Sequence, residues 1–479
     1  MAYGLPHSQF LGIDLSEVQI AQGRRKKEEL NLSNLHLEQM DIMDFPKDLG
    51  LFDYIIAHGV FSWVPPQVRE KILAIYRAHL APHGIGFISY NTLPGWHMIN
   101  IARDIMLFET RTITDPTERV DQAREALRFY AKAIPGNDSG YFDFLKSYSN
   151  LIDGTRAGLK PKDNSALYHD ELSEINQPFY FMQFIEMAEQ HGLSYLADLC
   201  QLSGGVLPKE VMEALRKKSG NLIELEQAED FLNNRTFRQT LLCLQEAPIT
   251  RKLTPAIVNN LYITSQAQPV SEKPDLYLQS MEQFRGTDGA LLTIDHPCSK
   301  AALACLAEVW PCALVFPELL SRARARLEQN GSRLSAESLD AQVLGANLLR
   351  AFSYSINLVD LHSYAPALVY PGGDYPVASR VARNQAVEDY TVTNLYHERV
   401  NLDDLEQYLL PRLDGTQNLQ SLLQDLVKGL LSNEGISVEK DGQLVNLVDQ
   451  PDLIVSDLKN RLDRLAKLGL FIDPSRLAC

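Results

Sequence analysis

Between residues 9 and 91 the chain alternates short apolar runs with amphipathic stretches, and this alternation constrains the fold more than any other feature. "QFLGIDL" reads as a strand. Ser16 then caps a helix, with Gln19 three residues on as its capping-box partner. That helix carries "RRKKEE" on a solvated face. "LHLEQMDIMDF" is the next strand, ending near Asp41, and "FDYIIAHGV" is a buried strand ending near His58. "PPQVREKILAIYRAHLAPHG" is a helix begun by proline and closed by Gly84, and "GIGFISYN" is a further strand. Strand–helix alternation of this kind predicts a parallel, doubly wound sheet with right-handed crossovers. Ligands of such sheets lie at the carboxyl ends of the strands. Asp14, Asp41, His58 and the pair Tyr90–Asn91 all fall at those ends, so one pocket can hold all four.

An acid that ends a strand just before a helix holds ribose hydroxyls in nucleotide-binding α/β domains, normally from the second strand. Here only the eight residues "MAYGLPHS" precede that strand, and they contain no glycine-rich turn.

The remainder of the 479 residues divides by pattern. Residues 1–97 form the α/β core, and 98–165 turn helical and polar like an insert. Residues 166–245 resume the sheet, with a helix over Pro178–Gln190 and a strand near Leu193–Asp198. Residues 246–365 are a mostly helical middle part, and 366–479 read as helices with a short hydrophobic strand, a winged-helix type of module. The formal net charge of -16 makes nucleic acid a poor partner. Neither an N-terminal signal pattern nor a membrane-spanning apolar run is visible, which predicts a cytoplasmic protein without membrane insertion. Six cysteines, Cys200, Cys243, Cys298, Cys305, Cys312 and Cys479, form no CxxC pair and read as free thiols in a reducing compartment. His296, His362 and His397 are scattered without ligand spacing, so no metal site is expected.

"FLGIDLS", "FDYIIAHGVFSWVPP", "FISYNTLPGW" and "LYHDELSEINQPFYF" together resemble a class I S-adenosylmethionine (SAM) methyltransferase with a methyltransferase regulatory domain. The layout resembles the rickettsial-type protein lysine methyltransferases. "FLNNRTFRQTLLC" is similar to the end of the regulatory segment, and "TNLYHERVNLDDLEQYLLPRLDGT" to the C-terminal module. The ordered set, spread over nearly the whole chain, is specific where "GID" or "LDGT" alone is weak. The resemblance implies a Rossmann-like sheet lacking its first strand, with a helical insert that can dimerise the chain. It also implies mostly α middle and C-terminal domains.

The family opens with a strand ending in an E/D-x-G-x-G turn, whose glycines let backbone approach SAM. "MAYGLPHS" resembles the tail of the helix after that turn. The expectation is therefore that the first strand, the loop and most of the first helix are absent, either through a shortened gene model in which Met1 is internal or through real truncation with loss of activity.

For the residues, the resemblance implies that Asp14 accepts hydrogen bonds from both ribose hydroxyls, with Leu15 beside it. Asp41 would accept from the adenine amine while Ile42 packs on the ring. His58 and Gly59 would lie beside the methionine portion and the incoming nucleophile. Tyr90, Asn91 and Trp96 would wall the acceptor channel, completed by Trp63, Tyr168 and His169. Each has a plainer reading: a dipole-stabilising acid at Asp14, a solvated loop acid at Asp41, a structural histidine at His58, packing at Trp63 and Trp96.

Methyl transfer needs alignment and a neutral nucleophile, and a lysine amine of pKa ~10.4 must lose its proton first. An aromatic, desolvated channel favours the neutral amine. The function expected is N-methylation of protein lysines. Two alternatives stay open: a non-catalytic regulatory or scaffold protein that no longer binds SAM, and a methyltransferase for a small molecule such as a metabolite or polyketide.

Overall fold

The computed structural model describes residues 1–133, 140–154, 162–199, 207–332, 334–431, 439–440, 443–444 and 451–477. Cys200 and Cys479 lie outside them. The chain divides into two compact units, one formed by residues 1–39 with 251–479 and the other by residues 40–250.

In the first unit, β1 (Phe10–Asp14) and β2 (Leu35–Gln39) make a two-stranded parallel sheet joined by helix α1 (Glu17–Leu30). Ser16 Oγ accepts from the Gln19 amide at 3.4 Å, the local reason the helix starts there. Asn31 ends it in the left-handed region at φ 53°, its N–H turned back to Glu28 and Lys27. The buried Asn34 amide lies within 3.1 Å of the Ala2, Leu5 and Ser8 carbonyls and so shapes the first eight residues. These elements pack on the C-terminal module of the same unit: Arg380 reaches Tyr3 and the Leu30 carbonyl, and Lys26 donates to Asn384.

The rest of this unit has two cores. One spans residues 258–359, around Phe284, Leu319 and Leu348, with a three-stranded sheet centred on β7 (Tyr262–Thr264). The other spans residues 378–471, with Leu405, Leu409 and Phe471 at its centre and a hairpin of Thr391–Thr393 with Arg399–Asn401. Across both units, the described cysteines Cys243, Cys298, Cys305 and Cys312 form no disulfide.

The second unit is built on a four-stranded sheet in the order β3–β4–β6–β5, with β3 (Phe52–Ala57), β4 (Leu80–Asn91), β5 (Leu193–Asp198) and β6 (Phe237–Leu244). Only β3 and β4 are parallel; β6 runs antiparallel to both β4 and β5. The sheet is therefore mixed rather than wholly parallel, because "FRQTLLC" returns as a reversed strand and carries no periodicity that would betray its direction. Helix α2 (Pro66–His79) crosses from β3 to β4. A Cβ on Gly86 would sit 2.4 Å from the Tyr76 ring, so only glycine lets this helix lie against β4. Among the described residues the two-stranded sheet leaves one side of both β1 and β2 unpaired, and the four-stranded sheet has β3 and β5 as its edges. On β3, Tyr54 is 69% and Ile56 52% exposed, unusual for a parallel strand, which is normally covered on both faces.

Four helices, α3 (Gly95–Glu109), α4 (Pro116–Ala133), α5 (Gly140–Ile152) and α6 (Asn164–Asp170), form a bundle with its own core around Met106, Leu127, Leu145 and Leu167. The chain then returns to the sheet through α7 (Phe181–Gln190), and α8 (Lys209–Lys218) and α9 (Leu222–Asn233) lead to β6. The observed α7 starts at Phe181, three residues after the predicted Pro178. Residues 177–179 instead bond Ser62 and Asn91 as extended backbone.

Candidate methyl-transfer site

The strand ends hold the acids and polar groups anticipated there. Asp14 is the last residue of β1; its Oδ1 accepts from the Ser16 amide at 2.7 Å, and both it and Leu15 are exposed. Asp41 follows β2 by two residues and caps the short turn at Ile42–Asp44 through Met43 N, at 2.9 Å. Ile42 is half-buried against the sheet core of the second unit. Asp14 and Leu15 belong to the first unit, and the other candidates to the second.

Within the second unit, one serine organises the turn after β3. Ser89 Oγ lies 3.0 Å from His58 Nδ1 and accepts from Gly59 N at 2.8 Å. With Nδ1 engaged, Nε2 is the ring nitrogen left to an incoming group. Gly59 has φ +70°, and a Cβ built on it meets nothing within 4 Å, so the turn needs glycine for its backbone and leaves open space beside it.

The end of β4 carries the second cluster. Asn91 is buried; its N–H donates to Ser62 Oγ at 2.9 Å and its Nδ2 to Asn176 Oδ1 at 2.9 Å. Trp63, next to Ser62, meets Trp96 edge-on with ring centroids 6.0 Å apart. Trp96 is held at the start of α3, where Gly95 lets the backbone close on the Arg235 carbonyl; a Cβ there would lie 2.5 Å from that oxygen. Ser62, Ser89 and Asn176 were not singled out from the sequence. Asn176 stands inside "SEINQPFYF", but a single polar residue before a helix gives no pattern. Its Nδ2 is buried without a partner among the described residues, an amide donor still awaiting an acceptor.

Three expected channel residues are placed elsewhere. Tyr90 points to the opposite face of β4 from Asn91, as strand alternation requires. It stacks on Phe184 at 4.0 Å and its hydroxyl meets Thr240 at 3.2 Å, so it is a core residue here. Burial pushes its phenol well above the ordinary range. Tyr168 packs on the insert's bundle with Arg119 over its ring, and His169 is exposed, edge-on to Tyr168.

Below Tyr90 lies an ion network. The buried Arg238 on β6 donates to Asp230 at 2.8 and 2.9 Å, to Asp198 at 3.2 Å and to Glu226 at 3.1 Å, and its guanidinium carbon lies 3.8 Å above the Phe181 ring. Burial works against that charge, but the surrounding acids outweigh it and hold the guanidinium above its ordinary value.

Comparison with known proteins agrees with this architecture. Residues 1–84 match the family described as "Methyltransferase domain", residues 163–244 "Predicted methyltransferase regulatory domain", and residues 374–470 "PKMT, C-terminal winged helix domain". The uncharacterized protein RP789 of Rickettsia prowazekii is 31% identical over 454 residues, covering 92% of this chain and 78% of that protein. The uncharacterized protein RP028 of the same organism is 39% identical over 185 residues, 39% of this chain and 71% of its own. The structure of PKMT2 from Rickettsia typhi in complex with AdoHcy superposes with a TM-score of 0.83 at 28% identity, over 98% of this chain and 91% of that one. The chain therefore belongs to the class I methyltransferase family of these rickettsial proteins, and in it a methyltransferase domain, a regulatory domain and a PKMT winged-helix domain share one polypeptide.

Proposed function

We propose that the protein is a SAM-dependent protein lysine methyltransferase. The observation that carries this reading is the likeness, over almost the whole chain, to PKMT2 holding AdoHcy, the product left when SAM gives up its methyl group. The residues present fit such a donor. In the second unit Asp41 is an exposed carboxylate after a strand end, able to accept from the adenine amine, and Ile42 offers an apolar surface to the base; in the first unit Asp14 is an exposed carboxylate of the kind that accepts from ribose hydroxyls. Gly59 leaves its turn open, and His58 is fixed by Ser89 beside it.

SAM supplies an electrophilic methyl on a sulfonium; the lysine nitrogen forms the new C–N bond as the C–S bond breaks. The chain's own part is to present that nitrogen neutral and aligned. We place the acceptor amine against the packed pair Trp63 and Trp96, whose rings desolvate it and favour loss of its proton. Asn91, fixed by Ser62 and Asn176, orients the amine through its amide. Tyr90 supports this strand from the core.

Among the described residues no helix is long and apolar enough to cross a membrane. We also propose that the insert joins two copies of the chain. Phe108, Phe129, Tyr141 and Leu151 on its bundle are exposed apolar side chains that a second copy would cover. A monomer by light scattering refutes this.

Calorimetry with SAM, and transfer of labelled methyl to lysines of candidate proteins, test the main reading. Both are run on the chain as given and on one lengthened upstream in frame. Label in lysine supports it, and label only in small amines favours a metabolite acceptor. If neither chain takes up SAM, the reading fails in favour of a non-catalytic role.

A further inference from the structure

The C-terminal half holds a cavity of ≈ 310 Å³ at residues 264–398, lined by none of the methyl-transfer candidates. Its volume is at the lower end of ligand pockets, which run to about 300–1,000 Å³. Three aromatic rings line it: Trp310, Tyr364 and Tyr396. Trp310 stacks on Tyr396 with centroids 5.4 Å apart at 14°. Both rings are anchored from behind, Trp310 Nε1 donating to the Lys467 carbonyl at 2.8 Å and Tyr396 Oη to the Pro311 carbonyl at 2.7 Å. Two carboxylates, Asp360 and Glu398, and two histidines, His362 and His397, line the same space, and among the described residues no lysine or arginine does.

The polar groups around these acids do not neutralise them. Asp360 lies 3.3 Å from His362 Nε2, but burial disfavours the imidazolium and holds that histidine below its ordinary value. Glu398 accepts 2.8 Å from the neutral Asn394 amide. Burial raises the Asp360 carboxyl against the opposing pull of His362 and the Leu361 amide, and the negative charge of Glu398 adds to the rise. An anion is excluded by this charge pattern. A metal ion is disfavoured too, since no group of three or more His, Cys, Asp or Glu side chains suited to a metal occurs among the described residues. A cation with an apolar body satisfies both the rings and the acids.

We propose that this cavity binds an alkylammonium group, carried by a lysine side chain or by a free amine, between the aromatic rings and the Asp360 and Glu398 carboxylates. The site is independent of the methyl donor, so it stands or falls apart from the activity proposed above.

Indole NMR of the full chain tests it. The protein contains three tryptophans, and Trp310→Phe identifies the Trp310 signal. The probes are the Nα-acetyl amides of lysine and trimethyl-lysine, putrescine, and the uncharged norleucine amide. The expected result is a saturable shift of the Trp310 signal with an amine and none with norleucine. A preference for the lysine amides assigns a protein source, and a preference for putrescine a free amine. Asp360→Asn with Glu398→Gln should weaken binding roughly tenfold or more. If the double variant melts early, each single substitution should still weaken it. No shift with any amine, equal binding of norleucine, or unchanged affinity in folded variants overturns the proposal.

Discussion

Replacing Arg238 with methionine tests the physics under the site most directly. Methionine retains the apolar contact with Phe181 but removes all the hydrogen bonds to Asp198, Asp230 and Glu226. Asp198 and Asp230 have no exposed side-chain surface, so they would be left as buried charges. Removing one partner of a buried ion pair costs about 3–5 kcal/mol. Arg235 remains 3.0 Å from Asp230 and 3.4 Å from Asp198, which places the expected loss near the lower end. A loss of about 3 kcal/mol is a roughly hundredfold fall in amide protection. Hydrogen exchange over β5 and β6 reads it locally.

The pH dependence has a definite sign. Burial pushes the Asp230 carboxyl up even beside Arg238, so the folded protein holds that proton more tightly than the unfolded chain. Its contribution favours folding at low pH and is lost as pH rises through the raised value. Without Arg238 the value rises further, so the deficit of the variant should shrink between pH 7 and about pH 5. Asp230→Leu in the Arg238→Met background should recover part of the loss. A deficit below about 1 kcal/mol, or one that grows on acidification, refutes the claim that paired charge holds this layer together.

Asn91→Ala and Trp96→Ala should each lower methyl transfer by roughly tenfold or more while SAM affinity, read by calorimetry, stays near that of the parent; unchanged turnover in both removes the acceptor assignment. Asn176→Ala deletes the acceptor that fixes the Asn91 amide and should lower turnover in the same direction but less. Gly59→Ala should cost about 1–2 kcal/mol for its left-handed backbone; since the new methyl meets no atom within 4 Å, a loss of SAM affinity would report the turn's geometry rather than a clash. Lys300, fully buried, donates to the carbonyls of Asp275, Leu278 and Ser280 at 2.6–2.9 Å. Lys300→Met should free that loop by at least about 1–3 kcal/mol, seen as faster exchange over residues 275–281.

Local patterns carried much of the architecture. β1 ends at Asp14, β3 one residue before His58 and β4 at Asn91, because apolar runs and cap residues mark where strands stop and helices start. The bundle of α3 to α6 and the turn at Gly59 follow from equally local signals. The direction of β6 did not, since a strand's residues do not encode which way its neighbour runs.

What the sequence by itself determined was the order of strands and helices and the identity of the polar groups at the strand ends. Tertiary structure alone decided which of them face the chemistry. Tyr90 and Asn91 are adjacent in the chain, yet the pleat sends one into the core against Phe184 and leaves the other with Ser62 and Asn176. Tyr168 was claimed by the bundle and Asn176 was brought to Asn91 across 85 positions. The physical reason is one of range: caps and periodicity act within a turn or two of the chain, whereas facing, pairing and burial depend on segments that meet only after the core has closed.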